Sequence, residues 1–254
     1  MYEKEFEFLE RTLKSAYQKY AKNGILVSEK AKFDIVTNID CAIERYFENE
    51  LKENFPEDRI LGEEYSSDLE LLDRTWILDP IDGTFNFSTG SWLFGLQAAF
   101  WDKGELQLCA LFMPKLDEFY WAKKGCGAFC NGQRISVSKR KPENAIVSFG
   151  DLPHARPQDA KDELKMIQNA QNSVAKIRMY GAASVDFTYL ASGKIEGVVL
   201  FTKNKWDLVP GLLLSKEAGA LCFGVDGGEY SFESRGIAVC NSEEVYNLIK
   251  ITEN

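Results

Sequence analysis

Two patterns of apolar residues, one in each half of the chain, limit the folds that this sequence can adopt. Three candidate strands between residues 93 and 122 follow one another with only turn residues between them, which predicts an antiparallel meander. From about residue 145 onward, candidate strands and helices alternate. No linker rich in Pro, Ser or Gly divides the two halves. The sequence therefore predicts a single domain over residues 1–254, folded as a layered α+β or α/β sandwich.

The spacing of apolar residues also places the individual elements. Helical spacing predicts helices over the first 22 residues, from about Asp40 to Asn54, near 158–172, 182–192 and 208–218, and from Ser242 onward. Trp76-Ile77-Leu78 is predicted to be a short buried strand that ends at Asp79-Pro80, because proline has no N–H to donate to a sheet.

Charge and composition exclude several classes of function. The formal net charge of -9 argues against nucleic acid as the main partner, because nucleic-acid phosphates are held by a surplus of Lys and Arg. No run of residues approaches the roughly 20 apolar residues that cross a bilayer, and no apolar signal region follows the charged N-terminus. We therefore expect a cytoplasmic protein without a membrane partner.

The stretch DPIDGT (79–84) carries the strongest chemical signal. A buried strand delivers Asp79 at its end, and Asp82 follows three residues later, so that both carboxylates can face one point across a tight turn. Two carboxylates with backbone carbonyls suit Mg²⁺ or Mn²⁺. Gly83-Thr84 can open a short helix whose N–H groups would bind an anion, and the Thr84 hydroxyl can relay a proton. A simple turn capped by aspartates is the alternative.

Other acidic residues are ambiguous when each is considered alone. Glu63 and Glu64 follow Gly62 and could belong to a solvated loop. Asp207 precedes an apolar run and could cap a helix, and the same interpretation is open for Asp40.

The order and spacing of several motifs support a common function for these acids. The chain resembles the inositol monophosphatase family from roughly residue 30 to residue 240. The matching motifs are DIVTNID (34–40), GEE (62–64), WILDPIDGTFNF (76–87), AKKGCGAFCNGQRISVS (122–138), GAASVDFTYLASG (181–193) and WDLVPGLLLSKEAGA (206–220).

The resemblance implies an αβαβα sandwich, often dimeric, that hydrolyses phosphate monoesters with Mg²⁺ and is frequently inhibited by lithium. It implies a first metal held by Glu63, Asp79 and the carbonyl of Ile81, and a second held by Asp79, Asp82 and Asp207. It further implies that Asp40 and Glu63 reach a third ion or its waters. The substrate contacts that it implies are Asp82, Gly83, Thr84, Gly181, Ala182, Ala183 and Asp207.

The same resemblance implies a mechanism, in which a water oriented by Thr84, with Asp40 or Glu64 as partner, attacks phosphorus in line. Two departures from the family pattern matter. Leu200 stands where inositol-specific members have a glutamate that binds sugar hydroxyls, and the family's metal-site lysine could correspond to Lys30 or Lys32.

These departures leave the substrate open between an inositol phosphate, 3'-phosphoadenosine 5'-phosphate and fructose 1,6-bisphosphate. A non-enzymatic role, with a structural metal or through a protein partner, is the remaining alternative.

Overall fold

The computed structural model describes residues 1–66 and 70–251, which stack as five layers in the order helix, sheet, helix, sheet, helix. The helices of the described ranges are α1 (Glu3–Tyr20), α2 (Asn38–Asn54), α3 (Thr84–Ser88), α4 (Pro157–Ser173), α5 (Ala183–Ala191), α6 (Lys205–Glu217) and α7 (Glu243–Ile249). Among these helices, none combines the length and the apolar character needed to cross a bilayer. The layer order is the αβαβα sandwich that the family resemblance implied.

The strands form two large sheets and one small hairpin. In chain order they are β1 (Val27–Ala31), β2 (Asp34–Thr37), β3 (Arg59–Gly62), β4 (Thr75–Asp82), β5 (Gly95–Asp102), β6 (Glu105–Met113), β7 (Glu118–Lys123), β8 (Gly127–Cys130), β9 (Gln133–Ile135), β10 (Ile146–Phe149), β11 (Lys176–Arg178), β12 (Gly197–Leu200), β13 (Leu221–Gly224) and β14 (Ile237–Cys240). The first sheet has the order β3-β4-β5-β6-β7-β8-β9, and the second has the order β11-β10-β12-β14-β13. Strands β4 to β9 pair antiparallel in sequence order, so the predicted meander is confirmed.

Helices α1 and α2 cover the outer face of the first sheet. Phe8 of α1 and Phe47 of α2 both pack edge-on against Trp76 of β4, and all three side chains are buried. Helix α2 begins with a capping box, in which the Thr37 hydroxyl accepts from the Asp40 N–H and the Asp40 carboxylate accepts from the Thr37 N–H. The cap therefore fixes the carboxylate of Asp40 inside the protein.

Helices α5 and α6 form the middle layer, between the two sheets. They are buried on nearly every side because one face contacts the first sheet and the opposite face contacts the second. The two helices lie so close that a Cβ atom at Gly211 of α6 would come within 2.0 Å of the Phe187 ring of α5. Helices α4 and α7 complete the sandwich on the outer face of the second sheet.

Strand β4 is longer than the sequence predicted, and the expectation that it ends at Asp79-Pro80 is wrong. All eight residues to Asp82 are buried, and pairing with β5 resumes with Asp82 opposite Gly95 after a register shift. Pro80 lies within this irregularity, where the missing N–H costs no regular ladder bond. Both aspartates thus belong to one strand.

The β1–β2 hairpin and β3 were not predicted. Every residue of β1 is exposed, so the strand lacks the alternation of apolar and polar residues that marks a half-buried strand. Strand β3 has only four residues and pairs parallel with β4, which brings Gly62 opposite Leu78. Both elements lead directly into the candidate site.

Candidate active site

Three carboxylates meet where β4 approaches α6. One carboxylate oxygen from each of Asp79, Asp82 and Asp207 lies within 4.8 Å of the other two. Among the residues that the structure describes, the Oδ1 atom of Asp79 is buried without a hydrogen-bond partner, and its Oδ2 atom accepts only a 3.4 Å bond from Gln97. Buried acceptors are normally paired, so this arrangement suits a cation that would complete the coordination.

The electrostatics of the three carboxylates agree with that geometry. Burial, followed by the charges of Glu63, Asp82 and Asp207, raises the pKa of Asp79 well above its ordinary value. Burial, with Glu63 and Asp82, does the same to the pKa of Asp207. Like charges at this distance favour protonation, whereas a divalent cation favours the ionised form.

Asp82 is fixed by the start of α5. Its carboxylate accepts from the Ser184 N–H at 2.6 Å, from the Ala183 N–H at 3.2 Å and from the Ser184 hydroxyl. Burial raises the pKa of Asp82 to about 6, although these three hydrogen bonds oppose the rise. The sequence pointed to Ala183 but not to Ser184, whose role could have been suspected only from its position within the 181–193 motif.

Asp207 lies in the first turn of α6 and accepts hydrogen bonds from the Thr202 hydroxyl at 3.0 Å and the Asn204 amide at 3.1 Å. The residue that caps α6 is Asn204, without a side-chain capping bond. The alternative that Asp207 is merely the helix cap is therefore wrong. Likewise, Thr37 and not Asp40 caps α2.

Thr84 opens α3 and connects the cluster to α2. Its Oγ1 atom lies 3.2 Å from Oδ1 of Asp40 and 3.1 Å from the carbonyl oxygen of Ile81. Of the two partners that the sequence left open, the structure thus brings Asp40 and not Glu64 to the Thr84 hydroxyl. Burial raises the pKa of Asp40 to about 6 despite the hydrogen bonds from Thr37.

The two glutamates of the GEE motif pair with one lysine. Lys30 Nζ, from the β1–β2 hairpin, lies 2.9 Å from Glu63 Oε1 and 2.7 Å from Glu64 Oε1. Burial alone would lower the pKa of Lys30, but Glu63 and Glu64 raise it above its ordinary value. Lys32 Nζ instead lies 4.8 Å from the Phe33 ring centroid. The lysine near the site is therefore Lys30.

Glu44 of α2 positions this loop, and the sequence analysis missed it. Its carboxylate is buried and accepts 2.9 Å bonds from the N–H groups of Glu64 and Tyr65. A Cβ atom at Gly62 would lie 2.3 Å from Glu44 Oε1, so glycine is required there. A signal was present, because Glu44 follows Asp40 by four residues and so lies on the same inner face of the helix.

Gly83 brings the end of β4 against residues 181–183. Its φ of +83° is one that glycine adopts without strain. A Cβ atom at Gly83 would lie 2.8 Å from the Ala182 Cβ and 3.2 Å from the carbonyl oxygen of Gly181. The predicted substrate-contacting residues Gly83, Gly181, Ala182 and Ala183 thus lie together beside the carboxylates.

Two adjoining cavities open onto this cluster. The front cavity, of about 260 Å³, is bordered by Glu63, Asp79, Asp82, Thr84 and Asp207, with Phe33 of the β1–β2 hairpin at its wall. The inner cavity, of about 210 Å³, is lined by Asp82, Asp151, Ala183, Asp186, Leu200 and Asp207. Because Asp82 and Asp207 border both cavities, a ligand held at the carboxylates could extend from one into the other.

Comparison with known proteins agrees with the fold and the motifs. The model of the inositol monophosphatase family matches residues 6–254. A Thermotoga maritima protein named fructose-1,6-bisphosphatase/inositol-1-monophosphatase is 34% identical over 227 residues, covering 89% of this chain and 85% of the relative. Nus factor SuhB of Pseudomonas aeruginosa is also 34% identical, over 233 residues, covering 90% and 86%.

The solved structure of a Thermotoga maritima IMPase superposes with a TM-score of 0.84 at 31% identity, and the match covers 98% of this chain and 97% of that one. The match extends over both sheets and the helices that position the carboxylates. The chain therefore belongs to the inositol monophosphatase family of phosphomonoesterases.

Proposed function

We propose that the chain is a Mg²⁺-dependent hydrolase of small phosphate monoesters, with an activity like that of an inositol-1-phosphatase. The observation that carries this proposal is the buried cluster of Asp79, Asp82 and Asp207 beside the Thr84–Asp40 hydrogen bond. A structural metal site has no use for a half-buried threonine hydroxyl bonded to a carboxylate, whereas hydrolysis requires a group that orients water.

The donor set fits a hard divalent cation. It offers carboxylate oxygens and the Ile81 carbonyl, with no sulfur or imidazole among the clustered residues, which favours Mg²⁺, with Mn²⁺ as a substitute. Glu63, Asp79 and the Ile81 carbonyl would hold one ion, and Asp79, Asp82 and Asp207 a second. Bound Mg²⁺ would neutralise the phosphoryl oxygens and the leaving oxygen.

Thr84 and Asp40 act on the attacking water in this proposal. The Thr84 hydroxyl can donate to Asp40 Oδ1 while a lone pair accepts a hydrogen from water. Because the pKa of Asp40 is about 6, its carboxylate is largely ionised at neutral pH and is basic enough to take a proton passed through Thr84. Glu64, paired with Lys30, would tune the charge nearby.

Backbone groups around Gly83 would hold the phosphate. The Gly83 and Thr84 N–H groups lie at the start of α3, and residues Gly181 and Ala182 lie beside Gly83. The Ala183 N–H donates to Asp82 Oδ1, so a phosphate contact there would share that donor. Asp82 and Asp207, which border both cavities, would contact the substrate next to the reacting phosphate.

A role through a protein partner is the second candidate, because one relative at 34% identity is named Nus factor SuhB. The hydrolase is the better supported function. The carboxylates and the threonine hydroxyl that the reaction needs lie together, and a surface for a partner would not need this arrangement. A catalytically inactive variant that still folds would separate the two functions.

Asp82→Asn is that variant. Activity should be measured with Mg²⁺ on inositol 1-phosphate, fructose 1,6-bisphosphate, 3'-phosphoadenosine 5'-phosphate and NADP. We expect the variant to lose at least about 10³-fold in kcat, because it removes a metal-binding charge. Asp102→Asn is the matched control, since Asp102 is a buried aspartate of the same sheet that accepts only from the Tyr2 hydroxyl among described side chains.

Chelation of Mg²⁺ should abolish wild-type turnover, and millimolar lithium should reduce it. Undiminished activity in Asp82→Asn, or full activity in the presence of a chelator, would contradict the metal assignment. The absence of turnover on all four esters by the wild-type protein would favour the role through a partner.

A further inference from the structure

Asn86 of α3 makes contacts that the proposed mechanism does not use. Its side-chain nitrogen Nδ2 lies 2.7 Å from the carbonyl oxygen of Leu93, 2.7 Å from that of Tyr180 and 3.4 Å from that of Gly181. An amide nitrogen carries two hydrogens, so the two short hydrogen bonds use both of them. The side chain thus ties α3 to the loop that leads into β5 and to the loop between β11 and α5.

The carbonyl groups that accept from Asn86 crowd the turn at Gly83. A Cβ atom built at Gly83 would lie 3.2 Å from the carbonyl oxygen of Gly181 and 3.4 Å from that of Leu93. Carbonyl oxygens carry partial negative charge and repel one another where they converge without a donor. The hydrogens that Asn86 donates therefore hold these loops together at the turn where the phosphate is proposed to bind.

Few side chains could replace Asn86 at this junction. An ionised aspartate has the same shape but only accepts hydrogen bonds, and a serine or threonine hydroxyl has a single hydrogen to donate. The space is also tight, because a Cβ atom at Gly181 would lie 3.3 Å from Asn86 Nδ2. Gly181 has a φ of +71°, a backbone conformation that glycine adopts without strain. Residue 181 can therefore lie directly against the amide group.

We propose that Asn86 is a positioning residue, which holds residues 181–183 against Gly83 so that both sides of the phosphate site keep their places. The inference rests on the proposed function, since it takes the phosphate to bind at Gly83. The three clustered carboxylates lie on β4 and α6, outside the two loops that Asn86 ties to α3. Loss of the Asn86 hydrogen bonds should therefore weaken phosphate binding more than it disturbs the metal ligands.

The test measures phosphate binding and turnover separately. Calorimetry with inorganic phosphate in the presence of Mg²⁺ gives a dissociation constant without any reaction. We expect Asn86→Ala to bind phosphate about tenfold more weakly than the wild-type protein, the effect of about one unpaired buried group. KM for inositol 1-phosphate should rise by the same factor while kcat falls less than about threefold, because the contacts are lost equally from the substrate and the transition state.

Two further variants separate the hydrogen bonds from the shape of the side chain. Asn86→Ser keeps one hydrogen to donate, so we expect its phosphate affinity to lie between those of Asn86→Ala and the wild-type protein. It is also the milder change and carries the test should Asn86→Ala not fold. Asn86→Leu keeps the size of the side chain without a donor, and we expect it to bind phosphate as weakly as Asn86→Ala. Wild-type affinity in Asn86→Leu would overturn the assignment.

Asn169→Ala is the matched control. Asn169 of α4 is also partly buried, and its Nδ2 atom lies 2.8 Å from the carbonyl oxygen of Lys250, but it borders neither cavity. We expect both Asn86→Ala and Asn169→Ala to unfold at lower urea concentrations than the wild-type protein, and only Asn86→Ala to lose phosphate affinity. An equal loss of affinity in the two variants would mean that Asn86 only stabilises the fold, and would overturn its assignment.

The phosphate measurement also separates this inference from the proposed function. Turnover by the wild-type protein, with equal phosphate affinity in the wild-type protein and Asn86→Ala, would overturn the role of Asn86 and leave the hydrolase standing. Weaker phosphate binding in Asn86→Ala, with no turnover by the wild-type protein on any ester, would leave the role of Asn86 standing and overturn the hydrolase. A wild-type protein that binds no phosphate with Mg²⁺ would overturn both.

Discussion

The front and inner cavities share three aspartates, Asp82, Asp151 and Asp207, yet their remaining walls differ. In the front cavity, Glu63 pairs with Lys30 and the lining residue Thr84 donates to Asp40, whereas Asp79 Oδ1 has no partner among the described residues. The inner cavity is lined by Asp186, whose buried carboxyl group lies beside the Ser148 hydroxyl, and by the apolar side chain of Leu200. Charged and polar side chains thus dominate the front cavity, whereas the inner cavity combines acidic side chains with apolar ones such as Leu200.

Replacing the Thr84 hydroxyl tests the front cavity alone. Thr84→Val keeps the shape of the side chain and removes the hydrogen bonds to Asp40 and Ile81. We expect kcat to fall about 10²-fold with KM little changed, because the water loses its orienting group. Steady-state kinetics on inositol 1-phosphate would check this, with Thr84→Ser as the control that keeps the hydroxyl and most of the rate. A Thr84→Val rate within twofold of the wild-type rate would contradict the role of the hydroxyl.

Replacing Leu200 by glutamate tests the inner cavity, because it adds a carboxylate to the apolar part of the cavity wall. We expect Leu200→Glu to raise kcat/KM for inositol 1-phosphate about tenfold relative to fructose 1,6-bisphosphate, because a new acceptor pairs with a ring hydroxyl. Leu200→Met is the control that keeps the wall apolar. An unchanged ratio would show that the alcohol half of the substrate does not reach Leu200.

Replacing Glu163 by glutamine tests whether a buried carboxyl group outside both cavities only lowers the free energy of unfolding. Burial, followed by the charge of Asp151, raises the pKa of Glu163 to about 8. The folded protein therefore holds a proton that the unfolded chain releases near pH 4.5, and this contribution to stability is lost as pH rises toward 8. We expect Glu163→Gln to be more stable than the wild-type protein by about 4 kcal/mol at pH 8, with the difference vanishing below pH 4.5.

Urea denaturation at several pH values would measure that difference. Wild-type and Glu163→Gln proteins with parallel stability profiles from pH 5 to pH 8 would contradict the raised pKa.

The sequence predicted the front cavity far better than the inner one, for a physical reason. Asp79, Asp82 and Thr84 lie within six residues of one chain segment, so local pattern and turn chemistry suffice to group them. Asp186 and Leu200 come from different elements, and only the packing of α5 against β12 brings them to one cavity. Glu44 was missed, and the choice between Lys30 and Lys32 stayed open, for a similar reason, because a helix and an exposed hairpin carry Glu44 and Lys30 to the loop at Gly62.

Helix α2 also fixes the distance between two parts of the candidate site. Asp40 and Glu44 lie one helical turn apart, and the first contacts Thr84 while the second holds the loop that carries Glu63 and Glu64. One residue inserted between them would rotate Glu44 by about 100° and move it about 1.5 Å along the axis. The distance between Thr84 and the GEE loop is therefore set by the length of this helical turn, so we expect substitutions there to be tolerated more readily than insertions.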